Sequence, residues 1–545
     1  MQPAVLFLVS SIYLLSVASE NIVLIITDDQ DLTLDGMTPM TQTQNLIGQH
    51  GATFTNCFVA SPICCPNRAS ILTGRYQHNH LTVNNTIAGG CSSAEWQQSQ
   101  EPATFAALLR KVAGYKTFYA GKYLNEYGNG KVGGAAHVPV GWDWWAGLLG
   151  NSKYYDYSLS INGTERTYGN GTSDYFTDVI SNLALDFINA HTGDQVPFLM
   201  VLAPPAPHAP FTPADRYNNK YNSTKAKRTP NFNIPVHQDK HWLVRHGPAP
   251  LPESVLSKLD EIYRRRWETL LAVDELVKTV YTSLKKRNLL HETYFVYTSD
   301  NGYHIGQFSM PMDKRQPYET DIRVPLLISG PGIVPATISA PVSSVDIFAT
   351  LLDIAGVEYP SDGITLFKKH DNLPEDRTLL IEYRGERSKQ RPSSGCPSDN
   401  DLNVTLCMKD MMCKCQDAAN NTFSCIRRIS PDFNNIFCVF EDNQKFIEAY
   451  DLNVDEYQLT NIGYTMKKGP RHKYRQRLAR MTACQGVSCI LAVFPKARTD
   501  YPATRSDYPR ANRTTNGGSN GSRLLLELLL VFIFIPLAIS TRPLL

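Results

Sequence analysis

The stretch Asn21-Ile-Val-Leu-Ile-Ile-Thr27, followed at once by Asp28-Asp-Gln-Asp31, decides the fold class. It is short, largely apolar and rich in β-branched side chains, which is what a central strand covered on both faces requires. Its aspartates then stand at the carboxyl end. Tyr294–Thr298 repeats the pattern and runs into Ser299-Asp-Asn-Gly302, and Phe198–Ala203 runs into Pro204-Pro-Ala-Pro-His208. Three such strands, each delivering polar residues at its carboxyl end, predict an open α/β sheet with ligands along that edge. Helical patterns lie between them. In the longest, Val255–Leu284, residues Leu259, Ile262, Trp267, Leu270, Leu271, Val277 and Val280 make one apolar face. Arg264, Arg265 and Arg266 are assigned to its solvated side.

The chain has 545 residues, 42% of them hydrophobic, enough for a large domain over 20–377 and a smaller one over 378–495. The second begins where the composition turns toward cysteine and short strands. With 53 Lys+Arg against 51 Asp+Glu the net charge is +2, so nothing in the overall balance calls for a nucleic-acid partner, and any polyanion must be met by a local patch. Thr212–Pro252 is long, rich in Pro, Asn and His and without periodicity, as a substrate-binding insert would be.

Other features point to the secretory route. Residues 1–19 hold an apolar run, Val5–Val17, before the small Ala18 and Ser19, and resemble a signal cleaved before Glu20, although no basic residue precedes the run. Eight Asn-x-Ser/Thr sequons, at Asn84, Asn162, Asn170, Asn222, Asn403, Asn420, Asn512 and Asn520, predict glycosylation. Twelve cysteines predict disulfides in an oxidising compartment, with a zinc site at Cys413 and Cys415 as the alternative. Residues 496–523 read as a linker. The tail, 524–545, is apolar from Leu524 to Ser540 except for Glu527 and follows Gly517-Gly-Ser-Asn-Gly-Ser522. It resembles a signal for replacement by a GPI anchor; a membrane span and an untethered tail are the alternatives.

The chemistry is concentrated in Cys64-Cys-Pro-Asn-Arg68-Ala-Ser-Ile-Leu-Thr-Gly74, a Cys-x-Pro-x-Arg motif followed by Leu-Thr-Gly. By this motif the chain resembles the sulfatase family, which implies an alkaline-phosphatase-like α/β fold with a large mixed sheet flanked by helices and a smaller C-terminal α+β domain. The resemblance implies that Cys64 is modified to formylglycine by the formylglycine-generating enzyme during secretion. The hydrated aldehyde has two geminal hydroxyls: one attacks sulfur and expels the sugar alcohol, and deprotonation of the other releases sulfate. Arg68 is expected to hold the diol, with a helix starting near Ala69 aiming its positive end at the anion. Asn67 replaces the small residue usual at its position. Removing Cys64 from the cysteine count leaves eleven, so one is expected to stay unpaired.

The resemblance extends residue by residue. It implies that Asp28, Asp29, Asp300 and Asn301, together with modified Cys64, hold a hard divalent cation, Ca2+ or alternatively Mg2+. Lys122 and Lys314 match the sulfate-binding lysines, and His208 matches the histidine facing the leaving oxygen. Where many members carry a histidine as base for the diol this chain has Leu124, and the neighbouring Asn125 can only orient a hydrogen bond, so that role is open. The blocks Gly121-Lys-Tyr-Leu-Asn-Glu-Tyr127, Lys240-His-Trp242 and Asp300–Phe308 resemble the family's glucosamine-6-sulfatase branch. This implies a sulfated glycosaminoglycan substrate, heparan or keratan sulfate, and a lysosomal destination, or a cell-surface one if the tail is an anchor signal. The alternatives are an extracellular heparan endosulfatase, whose long basic insertion is absent, and a phosphate-ester hydrolase. His304, His237, Lys240, His241 and Trp242 are the candidates for gripping the sugar.

Overall fold

Alternate residues of the first strand, β1 (Asn21–Thr27), fall into different hydrophobic clusters: Ile22, Leu24 and Ile26 in one, Val23 and Ile25 in the other. A strand with period-2 side chains reaches two cores only if it is covered on both sides. All seven residues are buried, and each large aliphatic side chain contributes roughly 1.5–3 kcal/mol.

The other strands of the main sheet are β2 (Ala52–Phe58), β3 (Lys116–Gly121), β4 (Trp144–Leu148), β5 (Tyr157–Ile161), β6 (Thr164–Tyr168), β7 (Phe198–Ala203), β8 (Thr293–Ser299), β9 (Arg323–Ser329), β10 (Ala336–Ile338) and β11 (Val342–Ser343). Their order is β10-β2-β9-β8-β1-β7-β3-β4-β5-β6, with β11 also on β2. The centre, β8-β1-β7-β3-β4, is parallel, whereas β9 runs antiparallel to β2 and β8, and β5 runs antiparallel to β4 and β6. Helix α1 (Cys64–Thr73) contributes Ile71 and Leu72 to the first cluster. Helices α2 (Phe176–Ala190) and α3 (Glu253–Lys286) pack on the other face, α3 through Leu270, Val273, Leu276, Val277, Val280 and Leu284. Helix α4 (Val345–Ile354) joins α1 through Phe348 and Leu351.

A smaller antiparallel sheet follows, β12 (Arg377–Tyr383), β13 (Phe423–Ser430), β14 (Phe433–Phe440) and β15 (Ile447–Asp451), paired in that order. Leu379, Ile381, Phe423 and Cys425 pack into the first main cluster. The opposite face, through Leu380, Ile426, Phe437 and Ile447, receives Leu478 and Met481 of helix α5 (Lys468–Met481).

The computed structural model describes residues 20–191, 196–235, 238–367, 373–386, 395–396 and 403–494. The expected signal segment, the linker with Asn512 and Asn520, the tail and His237 lie outside them. Among the described residues no helix is long and apolar enough to cross a membrane. Five disulfides form, Cys65–Cys91, Cys396–Cys413, Cys407–Cys415, Cys425–Cys438 and Cys484–Cys489. Cys413 and Cys415 are thus bridged rather than arranged for zinc. Cys57 and Cys64 remain free and buried, so the odd thiol beside Cys64 is Cys57. Of the sequons, Asn162, Asn170, Asn222 and Asn403 are exposed and Asn84 and Asn420 half-buried.

Candidate active site

Parallel pairing in register brings the acids together. Thr27 of β1 lies opposite Ser299 of β8, so the next residues, Asp28 and Asp300, emerge side by side at the same sheet edge. On the other side of β1, β7 ends at Ala203 and leads to His208, and β3 ends at Gly121, just before Lys122. Gly121 has φ +127, and a Cβ there would lie 2.0 Å from the carbonyl oxygen of Ala203, so only glycine lets the chain turn Lys122 into the site. Asp29 takes φ +70, a strained value for a residue with a side chain. Its N–H donates to Asp300 Oδ1 at 3.0 Å, which holds the turn.

Cys64 is the first residue of α1, not a loop residue ahead of a helix beginning near Ala69 as expected. The difference follows from Pro66, which is tolerated within a first turn whose N–H groups have no intrahelical partner. Cys64 therefore sits at the positive end of the helix, with Arg68 one turn on. Its Sγ lies 3.7 Å from Asp28 Oδ1 and 3.9 Å from Asp29 Oδ1. Burial pushes this thiol up to about 12; Lys122 and Lys314 oppose the rise, while Asp300 and Asp28 add to it. The unmodified thiol is therefore not ionised near neutrality and is a poor nucleophile.

Charges of both signs interleave around it. Lys122 Nζ donates to both oxygens of Asp28, at 3.0 and 2.8 Å, and Lys314 Nζ to both of Asp29, at 2.7 Å each. Arg68 Nε donates to Asp300 Oδ2 at 2.7 Å and its Nη1 to the Lys122 carbonyl at 2.7 Å. Burial works to raise the Asp28 carboxyl, but Lys122, His208, Arg68 and Lys314 outweigh it and hold Asp28 well below the usual carboxylate range. Asp300 goes the other way, to about 6, through burial and the charge of Asp28. His208 Nδ1 donates to the Ala209 carbonyl at 2.7 Å, which leaves Nε2, 3.8 Å from Asp29, facing the site. At 13% exposure it is the most open member; Lys122, Lys314, Arg68 and the acids are at 5% or less.

The donors suit a hard cation. Asn301 Nδ2 bonds Asp29 Oδ1 at 2.7 Å, but its Oδ1 is buried with no hydrogen-bond partner, and Arg68 Nη2 is likewise unpartnered. An orphaned carbonyl oxygen among carboxylates is what a cation ligand looks like without its ion. Ligand atoms of Asp28, Asp29, Cys64 and His208 lie within 4.8 Å of one another.

The structure brings these residues together and engages each described sugar-gripping candidate with other groups of the protein. Lys240 is internal to the small sheet, its Nζ donating to Tyr450 Oη and to the carbonyls of Gln458 and Leu459. His241 is buried and stacked on Phe440, and Trp242 Nε1 donates to Asn420 Oδ1. Lys240 and His241 thus tie the insert to β14 and β15, and Trp242 ties it to Asn420, where the sequence expected them to face a sugar. His304 is also buried, its Nδ1 3.0 Å from both oxygens of Asp321. It anchors the ribbon pairing His304–Ile305 with Met312–Asp313, which carries Lys314. His237 lies outside the described residues. Leu124 is in the core, and Asn125 Nδ2 bonds Asn151, so neither supplies a base.

Four contributors were missed. Arg266, expected in solvent, is 2% exposed and donates to the Asp29 carbonyl at 2.7 Å and Asp31 Oδ1 at 3.0 Å, its guanidinium 4.1 Å from the Tyr303 ring centroid. Its phase could have revealed it, because Leu259, Tyr263, Arg266, Leu270 and Val273 recur at helical spacing on one face. Ser152 Oγ donates to Asp28 Oδ2, and nothing local in the sequence signals that. Tyr303 forms the wall under Arg266 and Lys314. Asn67 ties the site together, donating to the Asp300 carbonyl at 2.6 Å and accepting from Ala60 N and Ser344 Oγ. Its amide is thus structural, which accounts for a larger residue at that motif position.

Comparisons agree with this geometry. The sulfatase family profile matches residues 20–357. Human N-acetylglucosamine-6-sulfatase is 48% identical over 478 residues, covering 86% of this chain and 85% of that protein. The Drosophila melanogaster extracellular sulfatase SULF-1 homolog is 38% identical over 67% of this chain and 33% of its own length. Among solved structures, one described as in complex with its substrate D-glucosamine-2-N,6-O-disulfate superposes with TM-score 0.64 at 23% identity, covering 85% of this chain and 97% of that one, a likeness of fold. A strand-end acid cluster around a free helix-start cysteine, with lysines on either side and a family match over most of the large sheet, places this chain in the sulfatase family of ester hydrolases.

Proposed function

We propose that this enzyme hydrolyses the 6-sulfate ester of N-acetylglucosamine or glucosamine residues in heparan or keratan sulfate, using Cys64 converted to formylglycine beside a divalent cation. The observation that carries the reading is the free Cys64 thiol at the start of α1, 3.7 Å from Asp28 and 3.9 Å from Asp29, in a chain 48% identical to a protein named for that activity. Asp28, Asp29, Asp300 and Asn301 would hold the cation, calcium or alternatively magnesium, which supplies Lewis-acid polarisation of the sulfate oxygens. Formylglycine, as its hydrate, supplies the attacking hydroxyl and a second one for release of sulfate.

The remaining work falls to the chain's own side chains. Lys122 and Lys314 approach from opposite sides and neutralise charge on the sulfate oxygens as the ester bond breaks. Arg68, fixed by Asp300 and the Lys122 carbonyl, keeps the nucleophilic position oriented and presents Nη2, which makes no hydrogen bond and lies 4.0 Å from Asp28 Oδ1. His208, at the most open position with Nε2 turned inward, donates a proton to the departing sugar oxygen. With Leu124 in the core, the base for the second half-reaction is unassigned. Five disulfides and four exposed sequons support passage through the secretory pathway, and the lysosome is the destination this reading implies.

Two measurements test it. Mass spectrometry of the tryptic peptide ending at Arg68 should find the aldehyde at position 64; a thiol in all active protein would overturn the mechanism. Sulfate release from 6-sulfated N-acetylglucosamine should exceed that from iduronate 2-sulfate and from phosphate esters. Loss of internal 6-sulfates before terminal ones would instead favour the endosulfatase reading.

A further inference from the structure

Helix α5 takes no part in the pocket. It is held by one face only: Tyr474 stacks on Phe437 with centroids 5.3 Å apart, Leu478 and Met481 are buried, and Arg477 Nη2 donates to the Ala492 carbonyl at 3.3 Å. The other face carries Lys468, Lys473, Arg475 and Arg480, all exposed, with exposed Lys467 just before it and half-buried Arg471 at its edge. No Asp or Glu occurs in the helix, and none of these six cations forms an ion pair among the described residues. Of the acids near the helix, Asp376 is already engaged by Arg428 at 3.0 and 3.1 Å, and Asp451 lies on the packed side, beside Tyr474. Burial above all, then the charge of Arg428 and, after opposition from Asp376, that of Arg480, brings Arg477 down to about 10. In a chain of net charge +2 this is a concentrated patch, extending about 18 Å from Lys468 to Arg480 at helical rise.

We propose that the solvent face of α5 is a binding surface for a sulfated glycosaminoglycan chain, separate from the ester-cleaving pocket, that holds the polymer while a residue of it is processed. The choice of polymer rests on the sulfatase reading; the existence of an anion-binding face does not. Each exposed cation alone contributes little in water. Lys468 with Arg475 and Lys473 with Arg480 form two rows, one on each margin of the exposed face; such rows facing a polymer with regularly spaced charges gain by counterion release, and guanidinium groups match the oxyanion geometry of sulfate. Between the cations lie Gly469, Pro470, Gln476 and Ala479, all exposed. No large apolar side chain lies among them to enter the acyl boundary of a bilayer, which argues for a soluble polyanion.

The test uses the full-length protein on immobilised heparin, on the same chain chemically desulfated, and on phosphatidylserine vesicles. Replacing Lys468, Lys473, Arg475 and Arg480 together by Glu should weaken heparin binding at least about tenfold and flatten its salt dependence. Replacing Lys111, Lys278, Lys285 and Lys286 by Glu changes net charge equally and should leave binding close to the parent. Both variants should cleave a monosaccharide 6-sulfate as the parent does. The milder pair K473A and R475A, which leaves the packed face untouched, should shift binding in the same direction even if the fourfold variant misfolds. Equal loss in both charge variants, unchanged binding in the helix variants, equal binding of the desulfated chain, or tighter binding to vesicles than to heparin would each overturn the proposal. If no sulfate is released from any sugar while the helix variants still lose heparin binding, the substrate reading fails and the surface stands.

Discussion

Lys122 and Lys240 are both 1% exposed, yet they are held in opposite ways. An ammonium has three N–H donors. Lys240 hydrogen-bonds only neutral acceptors, Tyr450 Oη and the carbonyls of Gln458 and Leu459, with Asp239 Oδ2 3.9 Å away and Glu448 hydrogen-bonded to the far side of Tyr450 at 2.7 Å. Lys122 bonds the two oxygens of one carboxylate, Asp28, which also faces Cys64, Arg68 and Ser152. Burial of charge therefore does not mark a catalytic group by itself. A saturated buried cation is a fastener. One held among surplus charges, next to the orphaned Asn301 Oδ1 and Arg68 Nη2, belongs to a site made for something to enter.

The most severe break of that comparison is Cys64→Ala, which should lower kcat on the order of 10^4-fold with the thermal midpoint nearly unchanged; retention of sulfatase turnover would remove Cys64 from the chemistry. Chelation should come next, abolishing activity and costing about 3 kcal/mol of stability relative to saturating ion, as read by calorimetry with calcium restored afterward. Lys122→Ala and Lys314→Ala should each reduce kcat about 10^2- to 10^3-fold on a 6-sulfated monosaccharide. Lys240→Met should leave kcat near the parent value while lowering unfolding free energy by about 3 kcal/mol, because Glu448 loses its compensating charge. Denaturant melts and turnover assays on the two lysine classes should thus move in opposite columns, and a large kcat loss in Lys240→Met would erase the distinction.

The smallest effect concerns the junction between the turn Gln77–His80, just after the motif helix, and the C-terminal segment. His78 Nδ1 lies 2.7 Å from Glu382 Oε2 and its Nε2 2.9 Å from the Cys484 carbonyl, an arrangement that satisfies two N–H donors only when the ring is protonated. Burial pulls its basicity down, but the hydrogen bond to Glu382 and the charge of Glu382 outweigh that and raise it above 6.5. A raised folded value means the contribution is fully present below the unfolded pKa, about 6.5, and is lost as pH rises through the folded one. The parent should lose more thermal stability between pH 5 and pH 8 than His78→Gln does; parallel curves would refute the pairing.

Much of the site was legible because it is local or motif-borne. The strand Asn21–Thr27 and the strand-end acids follow from β-branched runs, and Cys64 through Arg68 is a contiguous pattern. The longest helix was expected over Val255–Leu284 and spans Glu253–Lys286. The packing of the insert was not legible for a physical reason: Lys240, His241 and Trp242 look like ligand-gripping residues, but which way a long amphipathic side chain turns depends on partners 178 to 210 residues later. Arg266 was visible only by helix phase, and Ser152 not at all, since its partner Asp28 is 124 residues away.

By itself the sequence determined that strands of one chemical type end in carboxylates, that one cysteine begins a motif unlike a disulfide half, and that the charge is nearly balanced overall. Tertiary structure alone decided that Thr27 and Ser299 stand in register, so that Asp28 and Asp300 meet. It also decided which lysines face the acids and which are internal fasteners, and that the cations of α5 share one open face. Period and composition are properties of neighbours along the chain, whereas a buried charge is defined by what surrounds it, and those partners come from strands and helices hundreds of residues apart.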